Sequence, residues 1–306
     1  MSKHRSNSDF FGYLLLDKSP GQTSFTSLGL IKKALDTDKV GHTGTLDKFA
    51  SGLLIILVGR AVKLSPWVIH CDKTYEGTIR FGAETDTLDP EGSVVAEAPV
   101  PSREQVSQAL AQFRGEISQV PPEYSAIHVD GRRASELARS GEAPEMKKRP
   151  VTIYDLELSS WEPPLAGVHV RCSSGTYIRS LARDIARACA SRAHLVSLRR
   201  TQVAGFFVAD ALRISAGGDD GAEAIRDGLR PIDRGLFEAL GIPRFDAGED
   251  IRSPMIHGRP LEPLLSGLAV QGAQAGAAAV FAGETFAGMV EREGGGWTYG
   301  YVYAGH

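Results

Sequence analysis

The apolar positions follow two rhythms. Tyr13 to Asp17 (YLLLD) and Leu53 to Val58 are unbroken apolar runs of strand length, and the first stops at the turn KSPGQ. Such runs predict buried strands. Lys73 to Phe81 alternates instead, with Tyr75, Gly77, Ile79 and Phe81 on one face and Thr74, Glu76, Thr78 and Arg80 on the other. That predicts a strand with one polar face. Further strands are predicted over 151–158, 168–172 and 195–203. The helical rhythm begins after Thr23 or Ser24, either of which can cap a helix running to about Leu35. It returns after Ser102, where S-x-x-Q closes a capping box on Gln105 and Val106, Leu110 and Phe113 share a stripe. A third helix carries Ile178, Leu181, Ala182 and Ile185. Strands and helices mix without strict βαβ alternation, so the expected class is α+β on a mixed or antiparallel sheet.

Three stretches break the rhythm. Residues 121–150 have little apolar periodicity and carry Arg132, Arg133, Arg139, Lys147, Lys148 and Arg149, which marks an excursion from the core. Around 215–224 the chain becomes rich in Gly, Asp and Ala (SAGGDDGAEA). From about Gly241 onward, short strand-like pieces (FAGMVERE, WTYGYVYA) alternate with glycines. They suit either a small β-barrel-like appendage or an extension of the main sheet.

Composition alters this picture little, and charge alters it more. With 306 residues, 42 % apolar and 23 % charged, the chain has room for more than one domain. MSKHRSNSDF has basic residues without an apolar run behind them, so no secretory signal is expected, and LLIILV is too short to span a bilayer. The three cysteines, Cys71, Cys172 and Cys189, form no CxxC pair, which points to neither a zinc site nor a disulfide framework. A reduced, cytoplasmic protein without a membrane partner is the expectation. The net charge of −3 hides an asymmetry: residues 206–306 hold 14 acids and 8 bases, whereas the first 205 hold 23 acids and 26 bases. A polyanion-binding surface therefore belongs in the first part, although an unevenly charged solvated surface explains the same numbers.

The candidate chemistry centres on VGHTGTLD. Asp47 after a glycine-rich loop is most often a turn residue or a cap, but Gly41 and Gly44 allow a ligand to come close. His42 offers a flat polar ring, or is a loop histidine satisfied by the main chain. In SSGTYIRSLARDIARA, Thr176 or Ser174 is the expected cap, which puts Arg179 in the first turn. A cation there opposes the helix dipole at a cost of about 0.3–1 kcal/mol, so an anionic partner is implied, unless Arg179 is merely exposed. Arg183 and Arg187 follow at i+4 steps and suit a phosphate track, unless Asp184 among them is simply their surface partner. Tyr75 and Tyr177 are packing residues by default, yet beside a carboxylate they suit stacking on a base or accepting a proton.

Taken together, GYLLLDKSPGQTS, KVGHTGTLDKFASGLLIILVGRAVKL, DKTYEGTIRFGAETDTLDPEG, QVPPEYSAIHVDGRRASELAR, CSSGTYIRSLARDI and AHLVSLRR resemble, in order and spacing, the bacterial TruB family. These are tRNA pseudouridine synthases acting on the T-loop uridine at tRNA position 55. The resemblance covers roughly residues 11–205. It implies a pseudouridine-synthase fold over 1–240, with a mainly antiparallel sheet flanked by helices, and a short PUA-like RNA-binding barrel over 241–306. It implies Asp47 as the catalytic aspartate, Arg179 as its ion-pair partner and Tyr75 stacked on the target base. His42 would take the flipped base's place, Tyr177 and Leu198 would line the uridine pocket, and Lys18 and Pro20 would pack behind it. Residues 123–150 would clamp the T-arm. No cofactor, metal, guide RNA or protein partner is implied, and a monomer is expected. The chain departs from the family's pattern at Lys48-Phe49, at Ser19 between Lys18 and Pro20, at His128 and at Ser135. The rivals are a guide-RNA-dependent rRNA pseudouridine synthase, which would bring a fuller C-terminal barrel, and a tRNA-binding folding factor.

Overall fold

The computed structural model describes residues 10–129, 131–142, 144–214, 219–271 and 276–305. Ten strands form the main sheet: β1 (Phe11–Lys18), β2 (Val40–His42), β3 (Ser51–Gly59), β4 (Lys73–Phe81), β5 (Gly115–Gln119), β6 (Arg149–Glu162), β7 (Leu165–Cys172), β8 (Ala193–Val203), β9 (Phe206–Phe207) and β10 (Arg230–Pro231). Their order is β10-β1-β3-β8-β4-β7-β6-β5, with β2 added to β3 and β9 to β8. Neighbours pair antiparallel except where β8 meets β3, with Arg199 opposite Ser51 and Arg200 opposite Gly52. This junction places the end of β8 beside the loop that precedes β3.

The unbroken apolar runs of β1 and β3 are explained by cover on both faces. On one side Leu14, Leu16, Leu54 and Ile56 pack with helices α1 (Ser24–Leu35), α2 (Arg103–Gln112) and α3 (Ile178–Ala188), through Ile31, Val106 and Leu181 among others. On the other side Tyr13, Leu15, Leu53, Ile55 and Leu57 join Phe206, Phe237 of α4 (Arg234–Leu240) and the C-terminal Phe281, Phe286 and Met289. Beyond its first residues β4 lacks that second cover: exposed Glu76 and Arg80 alternate with buried Tyr75, Gly77, Ile79 and Phe81 as the sequence predicts, whereas Thr74 of the same polar face is buried. Ser102 and Gln105 form the capping box of α2.

The C-terminal strands are β11 (Arg244–Ala247), β12 (Val270–Gln271), β13 (Ala277–Ala282), β14 (Thr285–Glu293) and β15 (Gly296–Val302), in the order β12-β11-β13-β14-β15. They hold a core of their own around Phe245, Met255, Leu261 and Val280. The excursion after β5 contains a small hairpin, His128–Val129 with Arg132–Arg133, and a short helix Ala134–Arg139. Arg149 is part of β6, opposite Gln119, and so belongs to the sheet rather than to the excursion. No helix among the described residues is long and apolar enough to cross a membrane.

Candidate active site

The loop between β2 and β3 is fastened at several points. Ser24 Oγ donates to Leu46 O at 3.0 Å and accepts from Leu46 N at 2.9 Å, while Gly21 N donates to Lys48 O at 2.7 Å. Lys18 Nζ donates to Ala50 O, and Arg200 Nη2 donates to Gly44 O at 3.0 Å. Gly44 has φ +125°, a conformation that L side chains rarely adopt. Gly52, one residue into β3, has φ +108°, and a Cβ there would meet Arg200 O at 2.3 Å. The loop is thus pinned by buried polar groups, and it leaves the Asp47 side chain 37 % exposed.

Arg179 supplies the partner that its place in the first turn of α3 calls for. Its Nε lies 2.9 Å from Asp47 Oδ2, and Nη2 donates to Oδ1 at 3.1 Å. One hydrogen bond from Nη2 and a close charge contact at Nε together fix the carboxylate's position. A second acid, Asp89, reaches Nη1 at 3.3 Å, and Nη1 and Nη2 also donate to Thr87 O and Tyr124 O at 2.7 and 2.9 Å. Asp89 stands in the stretch TDTLDPEG, where the sequence shows only a turn. Its Oδ1 accepts from Thr87 Oγ1 and Glu91 N, as an Asx turn does. Nothing local signals its contact with an arginine ninety residues later.

The cap of α3 is not the expected one. Neither Ser174 nor Thr176 caps it: Thr176 Oγ1 turns back to Ser173 O, and Tyr177 occupies the cap position without a side-chain bond. Buried Gln119 at the end of β5 takes over. Its Nε2 donates to Tyr177 O at 3.1 Å, and its Oε1 accepts from Tyr177 N at 2.8 Å. A capping residue can act only on its own helix end, whereas the sheet delivers Gln119 from 58 residues away.

These elements enclose a cavity of about 260 Å³, lined among others by Asp47, Tyr75, Tyr177, Arg179 and Leu198. Register explains the grouping, since Arg200 stands opposite Tyr75 and Leu198 opposite Gly77 across β8 and β4. A larger cavity of about 530 Å³, lined by Trp67, Asp72, Arg171 and Glu238 among others, contains none of the candidate residues. His42 and Lys18 do not line the smaller cavity. Lys18 lies behind it, 1 % exposed, which agrees with a packing place. His42 ends β2, and its buried Nδ1 has no hydrogen-bond partner among the described residues.

Burial raises the Asp47 carboxyl above the ordinary range, opposed by Arg179 and assisted by Asp89. The open third of its surface moderates the burial effect, because water reaches the carboxylate from the cavity side. Burial likewise raises the Tyr75 phenol, with Arg200 acting against it, and raises that of Tyr177. Burial lowers His42, and the nearby Arg200 adds to this. Burial brings Lys18 and Lys73 down to about 8.

Of the two arginines that suit a phosphate track, Arg183 is buried and Arg187 is exposed, and both already have partners. Arg183 is buried and donates to Asp184 and Val120 O, and Arg187 pairs with Glu84 at 2.7 Å. Their i+4 spacing serves the packing of α3 against neighbouring segments. Arg132, Arg133, Arg139, Lys147, Lys148 and Arg149 are all exposed, and Arg132 meets Glu142 at 3.0 Å. Cross-strand pairing on the outer face also gathers Asp155, Glu157 and His169, whose ligand atoms lie within 4.8 Å of one another, a grouping invisible in the linear spacing.

Comparison with known proteins gives a consistent outcome. The model of the TruB family pseudouridylate synthase N-terminal domain matches residues 32–178. The tRNA pseudouridine synthase B of Chromohalobacter salexigens is 41 % identical over 274 residues, 89 % of this chain and 88 % of that protein. The protein of the same name from Pseudomonas paraeruginosa is 42 % identical over 257 residues, 82 % of this chain and 83 % of that one. Among solved structures, a chain of a Cbf5-Nop10-Gar1 complex is 25 % identical with a TM-score of 0.68, covering 92 % of this chain and 78 % of that chain. A chain of an H/ACA RNP bound to a substrate RNA containing 2′-deoxyuridine is 23 % identical with a TM-score of 0.65, at the same coverage. The α+β fold with its strand-rich C-terminal region is therefore that of the pseudouridine synthases.

Proposed function

Because the chain belongs to the TruB family of pseudouridylate synthases, we propose that it converts uridine to pseudouridine in tRNA, at the T-loop uridine of position 55. The observation that carries this reading is the Asp47 carboxylate, lining a nucleoside-sized cavity and ion-paired with Arg179. The reaction breaks N1–C1′, turns the base and joins C5 to C1′. Every atom of the uridine is kept and no electrons are exchanged, so the reaction calls for neither redox cofactor nor metal. Asp47 acts either as the nucleophile at the sugar or as the base that removes a sugar proton. In both roles it works ionised.

The target base must first leave the T-loop stack, at a cost of a few kcal/mol. In this reading His42 fills the vacated place, Tyr75 stacks on the flipped base, and Tyr177 and Leu198 close the pocket around it. The exposed cations from Arg132 to Arg149 hold T-arm phosphates and offset the flipping cost. Residues 1–240 carry the chemistry and 241–306 form a PUA-like RNA-binding region, the enzyme working as a stand-alone monomer. Purified protein incubated with a tRNA transcript is expected to place pseudouridine at position 55, and Asp47→Asn is expected to slow this by at least ~100-fold. A T-loop without product would overturn the reading. Undiminished product from Asp47→Asn would overturn the site.

A further inference from the structure

Three cations lie under the cavity with no carboxylate among the described residues bonded to them. Lys18, Lys73 and Arg200 are 1 %, 7 % and 2 % exposed. Their hydrogen bonds run to main-chain carbonyls: Lys18 to those of Ser19, Gln22 and Ala50, Lys73 to those of Ile69 and Cys71, and Arg200 to those of Leu53 and Gly44. The acids that act on these cations from nearby are engaged elsewhere: Asp47 by Arg179, Glu91 by Lys48, and Asp72 by Arg171 and Tyr154. Buried charge is ordinarily paired, because desolvation without a counter-charge is costly. Carbonyl dipoles satisfy the donors but leave the net charge in place.

Two of these cations reach the cavity. Lys73, Arg179 and Arg200 line it against a single acid, Asp47. A Cβ on Gly44 would stand 3.6 Å from Arg200 Nη1 and 3.8 Å from Lys73 Cε, so the loop lies directly over both cations. Lys18 does not line the cavity and stays behind Ala50. Burial and the neighbouring Arg200 bring the Lys73 ammonium down to about 8, as two like charges sharing one low-polarity region require. A cavity of this kind has a standing positive potential at its floor, independent of any partner that Arg179 already holds.

We propose that Arg200 and Lys73 stabilise the negative charge that departs on the uracil ring when N1–C1′ breaks. The inference rests on the uridine-isomerase reading and deepens it. When the bond breaks, its electron pair goes to N1 and spreads onto O2 and O4. C1′ is meanwhile captured by an Asp47 oxygen, or C2′ gives its proton to Asp47. The ring returns the charge when C5 bonds to C1′, which expels the Asp47 oxygen in the first route and is matched in the second by return of the Asp47 proton to C2′, and the C5 proton is replaced by one at N1. In either route the anion exists only between ground states, so preformed cations lower the barrier rather than tighten binding.

The test compares leaving groups. Fluorine at C5 makes the departing uracil anion more stable, so it needs less help from the protein. Single-turnover rates of N1–C1′ cleavage, the step both substrates share because 5-fluorouridine has no C5 proton to lose, are measured on tRNA transcripts carrying uridine or 5-fluorouridine at the target, with Lys73→Met, Arg200→Met, Lys73→Arg and Arg200→Lys. The Met variants are expected to lose on the order of 100-fold with uridine and about tenfold less than that with 5-fluorouridine, and the charge-retaining variants to recover most of it. The ratio between the two substrates within one preparation is independent of the folded fraction. If Arg200→Met does not fold, Lys73→Met alone decides. Equal losses on both substrates would overturn the proposal while leaving the isomerase reading intact. Absence of product from the unaltered protein would instead overturn that reading.

Discussion

Asp47 is held between opposing influences. Burial lifts its carboxyl, and Arg179 draws it down through two contacts of 2.9 and 3.1 Å. An aspartate that works ionised loses activity as pH falls through its pKa, so a raised pKa places the acid limb of the rate profile above that of a free aspartate. Asp89 lifts it further, because its negative charge lies on the far side of Arg179. Asp89→Asn is therefore expected to move the acid limb to lower pH. It is also expected to reduce kcat about tenfold or more, since Arg179 loses one of the groups that aim it. A kcat profile against pH checks both, and a limb moving upward would show that Arg179 had drifted from Asp47. Asp47 and Arg179 are legible in the chain as a loop carboxylate and an unforced first-turn cation. Asp89 is not, because an acid in a DPEG turn looks the same whether or not an arginine reaches it.

At the scale of elements, α3 is a helix whose amphipathic face the sequence shows and whose start it misplaces. The N-terminus is held by Gln119 on β5, through both main-chain groups of Tyr177, two residues before Arg179. Gln119→Leu leaves the Tyr177 N–H unmet, while the Tyr177 C=O keeps its bond from Leu181 N, at a cost of about 1–3 kcal/mol in unfolding free energy. Urea titration should show that loss. Because the start of α3 then shifts, kcat should fall with KM little changed. A variant that loses stability but keeps kcat per folded molecule would reduce Gln119 to a packing residue. The i+4 arginines teach the same lesson: their spacing fits a phosphate track, and Asp184 is the partner the sequence offers, but the further partners Val120 O and Glu84 come only from the fold.

Over the whole molecule, charge and core are divided between different regions. Charge reversal at Arg133, Lys147 and Lys148 is expected to weaken tRNA binding and to flatten the plot of log affinity against log salt by about one unit for each phosphate no longer neutralised. The rate at saturating tRNA should hardly change, since none of the three lines the cavity. Filter binding across a salt series would expose a contrary result. The C-terminal strands, by contrast, are fused to the rest through apolar packing: Phe281, Phe286 and Met289 share one cluster with Tyr13, Leu53, Phe206 and Phe237. Removing residues 241–306 uncovers that cluster. The truncated chain is expected to lose its cooperative thermal transition or precipitate, and a soluble fragment with an undiminished melting temperature would contradict this.

The sequence by itself determined the rhythm of buried and half-buried strands, the capping box of α2, the asymmetry of charge and the identity of the two residues that meet as Asp47 and Arg179. All of these are written in local spacing or in short motifs. Tertiary structure alone decided that Asp89 would share Arg179, that Gln119 would replace a cap, and that Arg183 would be buried against Val120 O while the exposed Arg187 paired with Glu84. It also decided that Lys73 and Arg200 would stand together under one cavity. The physical reason is the same each time. Hydrogen bonds, ion pairs and desolvation depend on distance in space, and the register of β8 against β3 and β4 brings residues more than a hundred positions apart within a few ångströms. VGHTGTLD showed where a carboxylate would be presented, and the sheet decided what would surround it.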